Sequence, residues 1–189
     1  MLKKTIILFL FISLLPVSNL WSKEISGITM PDKLSADGQE MILNGAGVRE
    51  KFFMDIYVGG LYLQEKSSNA ADIIKAKTPM AIRLHIVSGL VSSEKMSDAT
   101  REGFEKATDN DLSGIEDKVD RFIALFKQEE ITKKDVFEFI YQPDRGVKVY
   151  KNEKHLDTLE GYDFKKALFG IWLSDDPVQD SLKEGMLGK

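Results

Sequence analysis

The sequence has no cysteine in its 189 residues, only two histidines and only five prolines. Without a thiol, disulfides, thiolate metal sites, covalent thiol catalysis and a lipid anchor on cysteine are all excluded, and stability must come from packing. The histidines, His85 and His155, are far apart and belong to no H-x-x-x-H spacing, so no metal site is expected. There is no G-x-S-x-G elbow, no G-x-x-x-x-G-K-[ST] phosphate loop and no G-x-G-x-x-G opening a helix. The neighbouring carboxylates Asp117/Asp120, Glu129/Glu130 and Asp175/Asp176 fall on helix faces, ends or loops, where solvated charge is the ordinary reading. Basic side chains number 26 against 30 acidic ones, and a net charge of −4 argues against a nucleic-acid partner, which needs a basic stripe. The scattered prolines mark no linker, and neither a repeat nor a low-complexity tract is present.

What is present begins with Lys3 and Lys4 followed by an apolar run from Ile6 to Val17, then Ser18, Asn19 and Ser22. A positive start, a short apolar centre and a polar close are the parts of a signal peptide. A membrane span needs roughly 20 apolar residues, and Pro16 and Asn19 interrupt this run too early for that. The expected division is a signal peptide at 1–22, cleaved after Ser22 although Leu20 and Trp21 fit the site imperfectly, and one domain at 23–189. Loss of Lys3 and Lys4 leaves 24 basic side chains against 30 acidic, a net −6 over 167 residues, a length that suits one domain with a real core. An exported, cysteine-free chain of this kind is expected in a bacterial periplasm.

Along the chain, Gln39–Leu43 and Phe52–Leu63 read as strands, with Gly45 and Gly47 bracketing a turn or bulge and Gly59-Gly60 marking a kink or a close backbone approach. A short helix is expected from Ala70 to Lys77, and Ala81–Ser88 alternates as a half-buried strand. Two helices follow. The first is capped by Ser92 or Ser93 and carries Met96, Ala99, Gly103, Phe104 and Ala107 on one face. The second opens on the capping-box pair Ser113/Glu116 and buries Ile115, Val119, Phe122, Ile123 and Phe126. Val136–Tyr141 and Val147–Tyr150 form a hairpin around Pro143-Asp144-Arg145-Gly146, Gly161–Leu173 is helical, and Asp176-Pro177 is expected to start a last helix. Strands, helices, strands, helices without regular alternation predict α+β architecture with a mostly antiparallel sheet.

The stretch "NGAGVREKFFMDIYVGGLYL" at 44–63 holds the one arrangement with chemical interest, Arg49 beside Phe52, Phe53, Tyr57 and Tyr62. On one alternating strand Arg49, Phe53 and Tyr57 share a face, but eight residues of straight strand span roughly 26 Å. Arg49 and Tyr57 can meet only if the chain folds back between them, for which Glu50-Lys51 is the expected place. Spacing therefore leaves two readings open: a strand-end ion pair with an acid such as Asp55, or the polar anchor of an apolar cavity.

Three segments, "LNGAGVREKFFMDIYVGGLYL" at 43–63, "REGFEKA" at 101–107 and "FKKALFGIWLSDDPVQDSLKEGMLG" at 164–188, resemble the chalcone isomerase-like family in its bacterial, exported branch. The resemblance implies an open-faced β-sandwich, a large antiparallel sheet backed by helices with an apolar cleft between. It also implies that Arg49 occupies the position of the arginine that polarises the enzymes' substrate, and Tyr57 that of a cleft threonine. The enzymes' helix tyrosine and asparagine fall at Val91 and Asp98, and a late threonine falls at Ile171, so four of five catalytic positions differ. Valine and isoleucine donate no hydrogen bond to a developing charge. What the resemblance then favours is a non-catalytic binding protein for a hydrophobic carboxylate such as a fatty acid, with Arg49 as anchor and Tyr57 as second donor, and no cofactor. The alternatives are an isomerase or intramolecular lyase on another substrate, and a ligand-free envelope protein in which Asp55 or Glu50 caps Arg49.

Overall fold

A computed structural model describes residues 24–189; the expected signal peptide and its cleavage point lie outside the described residues. A small hairpin, β1 (Glu24–Ile25) and β2 (Ile28–Thr29), precedes one seven-stranded sheet made of β3 (Lys33–Ala36), β4 (Gln39–Lys51), β5 (Met54–Leu63), β6 (Met80–Ile86), β7 (Val136–Gln142), β8 (Gly146–Lys151) and β9 (Lys154–Leu159). The spatial order follows the chain order, and every neighbouring pair is antiparallel. The helices are α1 (Ala70–Lys75), α2 (Ser93–Ala107), α3 (Glu116–Leu125), α4 (Tyr162–Leu173) and α5 (Asp180–Met186). The expected α+β, open-faced architecture is the one observed.

Among the described residues the helices cover one sheet face, and the two sides of the sheet carry different residues. The helix-covered side buries Leu61, Ile82, Leu84, Phe137, Phe139 and Val149 against α2, α3 and α4, and Phe122 packs edge-on to Phe104, Phe126, Phe139 and Phe164 with ring centroids 5.2–5.8 Å apart. Such pairs add roughly 0.5–1.5 kcal/mol each beyond area burial. The opposite side has a smaller cluster around Met30, Met41, Val58, Tyr62 and Ile140, and holds the cross-strand ion pair of Arg83 with Glu138.

Several expectations are corrected. The long segment from Gln39 is a single strand to Lys51, and the fold-back falls at Phe52-Phe53, not at Glu50-Lys51. Gly45 is in a bulge, as expected, where the ladder skips Asn44. The freed Asn44 amide donates to the carbonyls of Ser67 (2.9 Å) and Met186 (2.8 Å), pinning the end of α5 to the sheet. Gly59 and Gly60 face the Met186 and Met30 side chains; the close backbone approach occurs instead at Gly45, where an added Cβ would stand 2.3 Å from the Gly185 carbonyl oxygen.

Ser113 does not cap α3. Its hydroxyl and its N–H are taken by Asp111, Gly114 follows at φ 83°, and the helix starts at Glu116 with Ile115 as cap. Asp176 does not cap the last helix either, which begins after Gln179. The terminal strand β9 extends the expected hairpin to a three-stranded meander and contains His155.

Candidate functional site

Residues from both layers enclose a cavity of about 290 Å³, near the lower end of the roughly 300–1,000 Å³ usual for small-molecule sites. Its floor is Tyr57, Leu84 and Phe139 of the sheet, its far wall Phe122 of α3 and Phe126 at that helix's C-terminal cap, and its sides Met96 and Thr100 of α2 and Ile171 and Trp172 of α4. Arg49, Lys51 and Lys95 stand at the mouth. Among the described residues no carboxylate lines this space. Its polar side-chain groups are three cations, the hydroxyls of Tyr57 and Thr100 and the Trp172 indole N–H, so every charge offered to a ligand is positive.

The β4–β5 hairpin places Arg49 directly opposite Tyr57, and directly opposed residues of an antiparallel pair project to the same face. The strand separation that appeared to be 26 Å therefore collapses to one cross-strand step. Arg49 is half-buried. Its Nη1 donates to the Glu50 carbonyl at 2.6 Å and to the Gln179 Oε1 at 2.9 Å. Gln179 also accepts from the Glu50 N–H (2.9 Å) and donates to the Val48 carbonyl (3.2 Å), so the residue before α5 is held against the strand carrying Arg49. The ion pair with Asp55 or a Glu50 carboxylate is not formed: both acids are exposed on the neighbouring register pair, and Arg49 makes no salt bridge among the described residues. Its partner is a neutral amide, which orients the guanidinium without cancelling its charge.

Tyr57 is buried at the base of the same space, and its oxygen accepts from Trp172 Nε1 at 3.0 Å. Among the described residues no acceptor takes the phenol's own hydrogen. Burial pushes this phenol up from 10.0 to about 12, against the opposing effects of the Trp172 hydrogen bond and the Arg49 charge. At neutral pH it is a protonated donor aimed into an apolar cleft.

Val91 and Ile171 line the cleft as apolar surface. Asp98 does not: it is exposed and outside the cleft, and the turns of α2 that face inward present Lys95, Met96, Ala99 and Thr100. Neither histidine reaches the cleft. His85 is in β6, and His155 packs edge-on to Tyr150 with Nε2 3.0 Å from Thr158 Oγ1. Gln179, Trp172, Thr100 and Lys95 were missed as site residues, since each lies within a helical or loop pattern that ordinary packing accounts for.

A helix-backed antiparallel meander with an apolar, cation-rimmed cleft defines an open-faced β-sandwich. The chain belongs to the chalcone isomerase-like family, whose model matches residues 22–188. A search of curated proteins found no match. Among solved structures, the crystal structure of the Arabidopsis thaliana fatty-acid binding protein is similar, with a TM-score of 0.68 and 17% identity over 85% of this chain and 92% of that one.

Proposed function

We propose that this protein is a non-catalytic binding protein that holds a hydrophobic carboxylate, such as a fatty acid, with Arg49 receiving the carboxylate and Tyr57 donating a second hydrogen bond. The observation that carries the reading is the charge asymmetry of the cleft, apolar walls with Arg49, Lys51 and Lys95 and no acid. A guanidinium presents two parallel N–H donors to a carboxylate, and each methylene of a tail removed from water contributes about 0.8 kcal/mol. The fatty-acid binding protein from Arabidopsis supports the reading by its fold. Cyclisation chemistry is disfavoured because Val91 and Ile171 add no donor to the cleft and neither a carboxylate nor a histidine lines it among the described residues.

The chain is further proposed to be a member of the exported, Gram-negative branch, made with a signal peptide at 1–22 and delivered to the periplasm as the domain 23–189. Amino-terminal sequencing of the protein from a periplasmic extract should begin near Lys23. Recovery of the intact Met1 terminus in the cytoplasm would contradict export.

Displacement of a fluorescent fatty acid tests the binding role. Saturated fatty acids should compete and the matching alcohols should compete at least about tenfold less well, because a charge-assisted hydrogen bond contributes roughly 1.5–3 kcal/mol. Equal competition by acid and alcohol would remove the carboxylate from the proposal. An Arg49-dependent acceleration of chalcone ring closure above its spontaneous rate would move the protein to the isomerases.

A further inference from the structure

Among the described residues four large hydrophobic side chains are exposed: Phe52 (79%), Phe53 (106%), Met54 (40%) and Leu90 (55%). Exposed apolar residues scattered singly are ordinary, but these are not scattered. Phe52, Met54 and Leu90 border the mouth of the cleft, and Phe53 is at the tip of the hairpin between two of them. The Leu90 loop is tied to β5, since Val87 and Ser88 donate to the Ile56 carbonyl at 3.0 and 3.3 Å, and to α2, since Lys95 Nζ donates to the Leu90 carbonyl at 3.1 Å.

The tip is a poor choice for folding alone. Phe52 and Phe53 adopt φ 50° and 64°, a left-handed pair that Asn-Gly or Asp-Gly would fill without steric cost. Among the described residues the other two-residue hairpin turns with both φ positive use Ser26-Gly27, Asp37-Gly38 and Asn152-Glu153. Among the described residues only the turn at the cleft mouth puts two aromatic rings into water. Around them the charge is complementary to an anionic surface: Arg49, Lys51 and Lys95 face the mouth, with Lys51 Nζ 5.8 Å from the Phe52 ring centre. The nearby acids, Glu50 and Asp55, are paired with each other in register and do not line the mouth. This basic rim belongs to a chain whose net charge is −4.

We infer that the Phe52-Phe53 tip and the Leu90 loop form a bilayer-docking surface, in which the rings enter the interface of a membrane containing anionic phospholipid and the cleft mouth opens onto it. Paired aromatic and basic residues are what an interfacial contact requires. As an exchange route for lipid the surface rests on the binding role proposed above, and it gives an acyl chain a path between bilayer and cleft that avoids water.

The test uses the protein as a Gram-negative host processes it from the full sequence, its terminus verified by mass, in co-sedimentation with vesicles of phosphatidylcholine alone or mixed with phosphatidylglycerol. The wild type should bind the mixed vesicles, more weakly at high salt, and little to the neutral ones. Phe53→Gly suits the local φ, and Phe53 is not part of the cleft lining. It should lower the vesicle partition coefficient by roughly tenfold, the scale of one buried Phe side chain, while fatty-acid displacement in the absence of vesicles is unchanged. Phe53→Trp should retain vesicle binding, with an emission shift to shorter wavelength. Failure of the wild type to bind anionic vesicles would overturn the inference, as would equal binding by Phe53→Gly or an effect of that substitution on self-association alone. Phe53-dependent vesicle binding without any fatty-acid binding would keep the docking surface and refute the carrier role.

Discussion

Arg49 rests against the Gln179 carboxamide, which accepts from the guanidinium and from the Glu50 N–H with one oxygen. Because the amide is neutral, Gln179→Glu is a sensitive test of what the positive charge is for. The carboxylate would keep both acceptor contacts and neutralise the guanidinium, so fatty-acid affinity should fall about tenfold, a loss of one charge-assisted bond, while loss of the amide's donation to the Val48 carbonyl lowers the melting temperature by a few degrees. Tyr57→Phe acts differently. It leaves the buried Trp172 N–H without its 3.0 Å acceptor, a loss of about 1–3 kcal/mol in stability by urea denaturation. The phenol also sets an alkaline limit. An unfolded tyrosine ionises near 10.0 and the buried one at about 12, so the folded state holds its proton longer. That contribution is intact below pH 10 and is lost as pH rises through 12, a change of roughly 2–3 kcal/mol. Denaturation midpoints should fall across that window in the wild type and fall less in Tyr57→Phe.

The β4–β5 hairpin is the element on which the site depends, and its turn was hidden by composition. Phe52-Phe53 carries none of the glycine, asparagine or aspartate that marks a left-handed turn, so the sequence reads as strand through it. Strand β9 escaped for a related reason: "KHLDTL" at the sheet edge is mostly half-buried or exposed, and lacks the β-branched alternation of a covered strand. Helix faces with strong apolar periodicity, such as Val119, Phe122, Ile123 and Phe126, were readable and are buried. Gln179 could not be read at all, because its role depends on a strand 130 residues away in sequence. Two stability predictions belong at this scale. Replacing Phe52-Phe53 by Asn-Gly should stabilise the protein by roughly 1–2 kcal/mol, the strain released by a residue suited to positive φ, seen as a higher melting temperature. Gly45→Ala should lower it, with a stability loss of about 3 kcal/mol, because a Cβ there meets the backbone of Gly185 and Met186 in α5 and of Gly188 just beyond it.

At the scale of the whole molecule, the antiparallel meander buries one face under α2, α3 and α4 and leaves the cleft between sheet and helices as the place where apolar surface and positive charge meet. The chemistry of that meeting point suits the proposed ligand, with an acid head and a greasy tail, and Val91 and Ile171 present apolar surface to it. Native mass spectrometry of detergent-free protein, beside a delipidated sample and Arg49→Ala, measures this directly. The wild type should carry a mass increment that extraction removes and that solvent analysis identifies as an acyl acid, while Arg49→Ala should lose most of it yet melt within about 1 kcal/mol of the wild type, as a half-exposed side chain predicts. A wild-type protein that is empty on purification and stays empty after incubation with fatty acids would contradict the account.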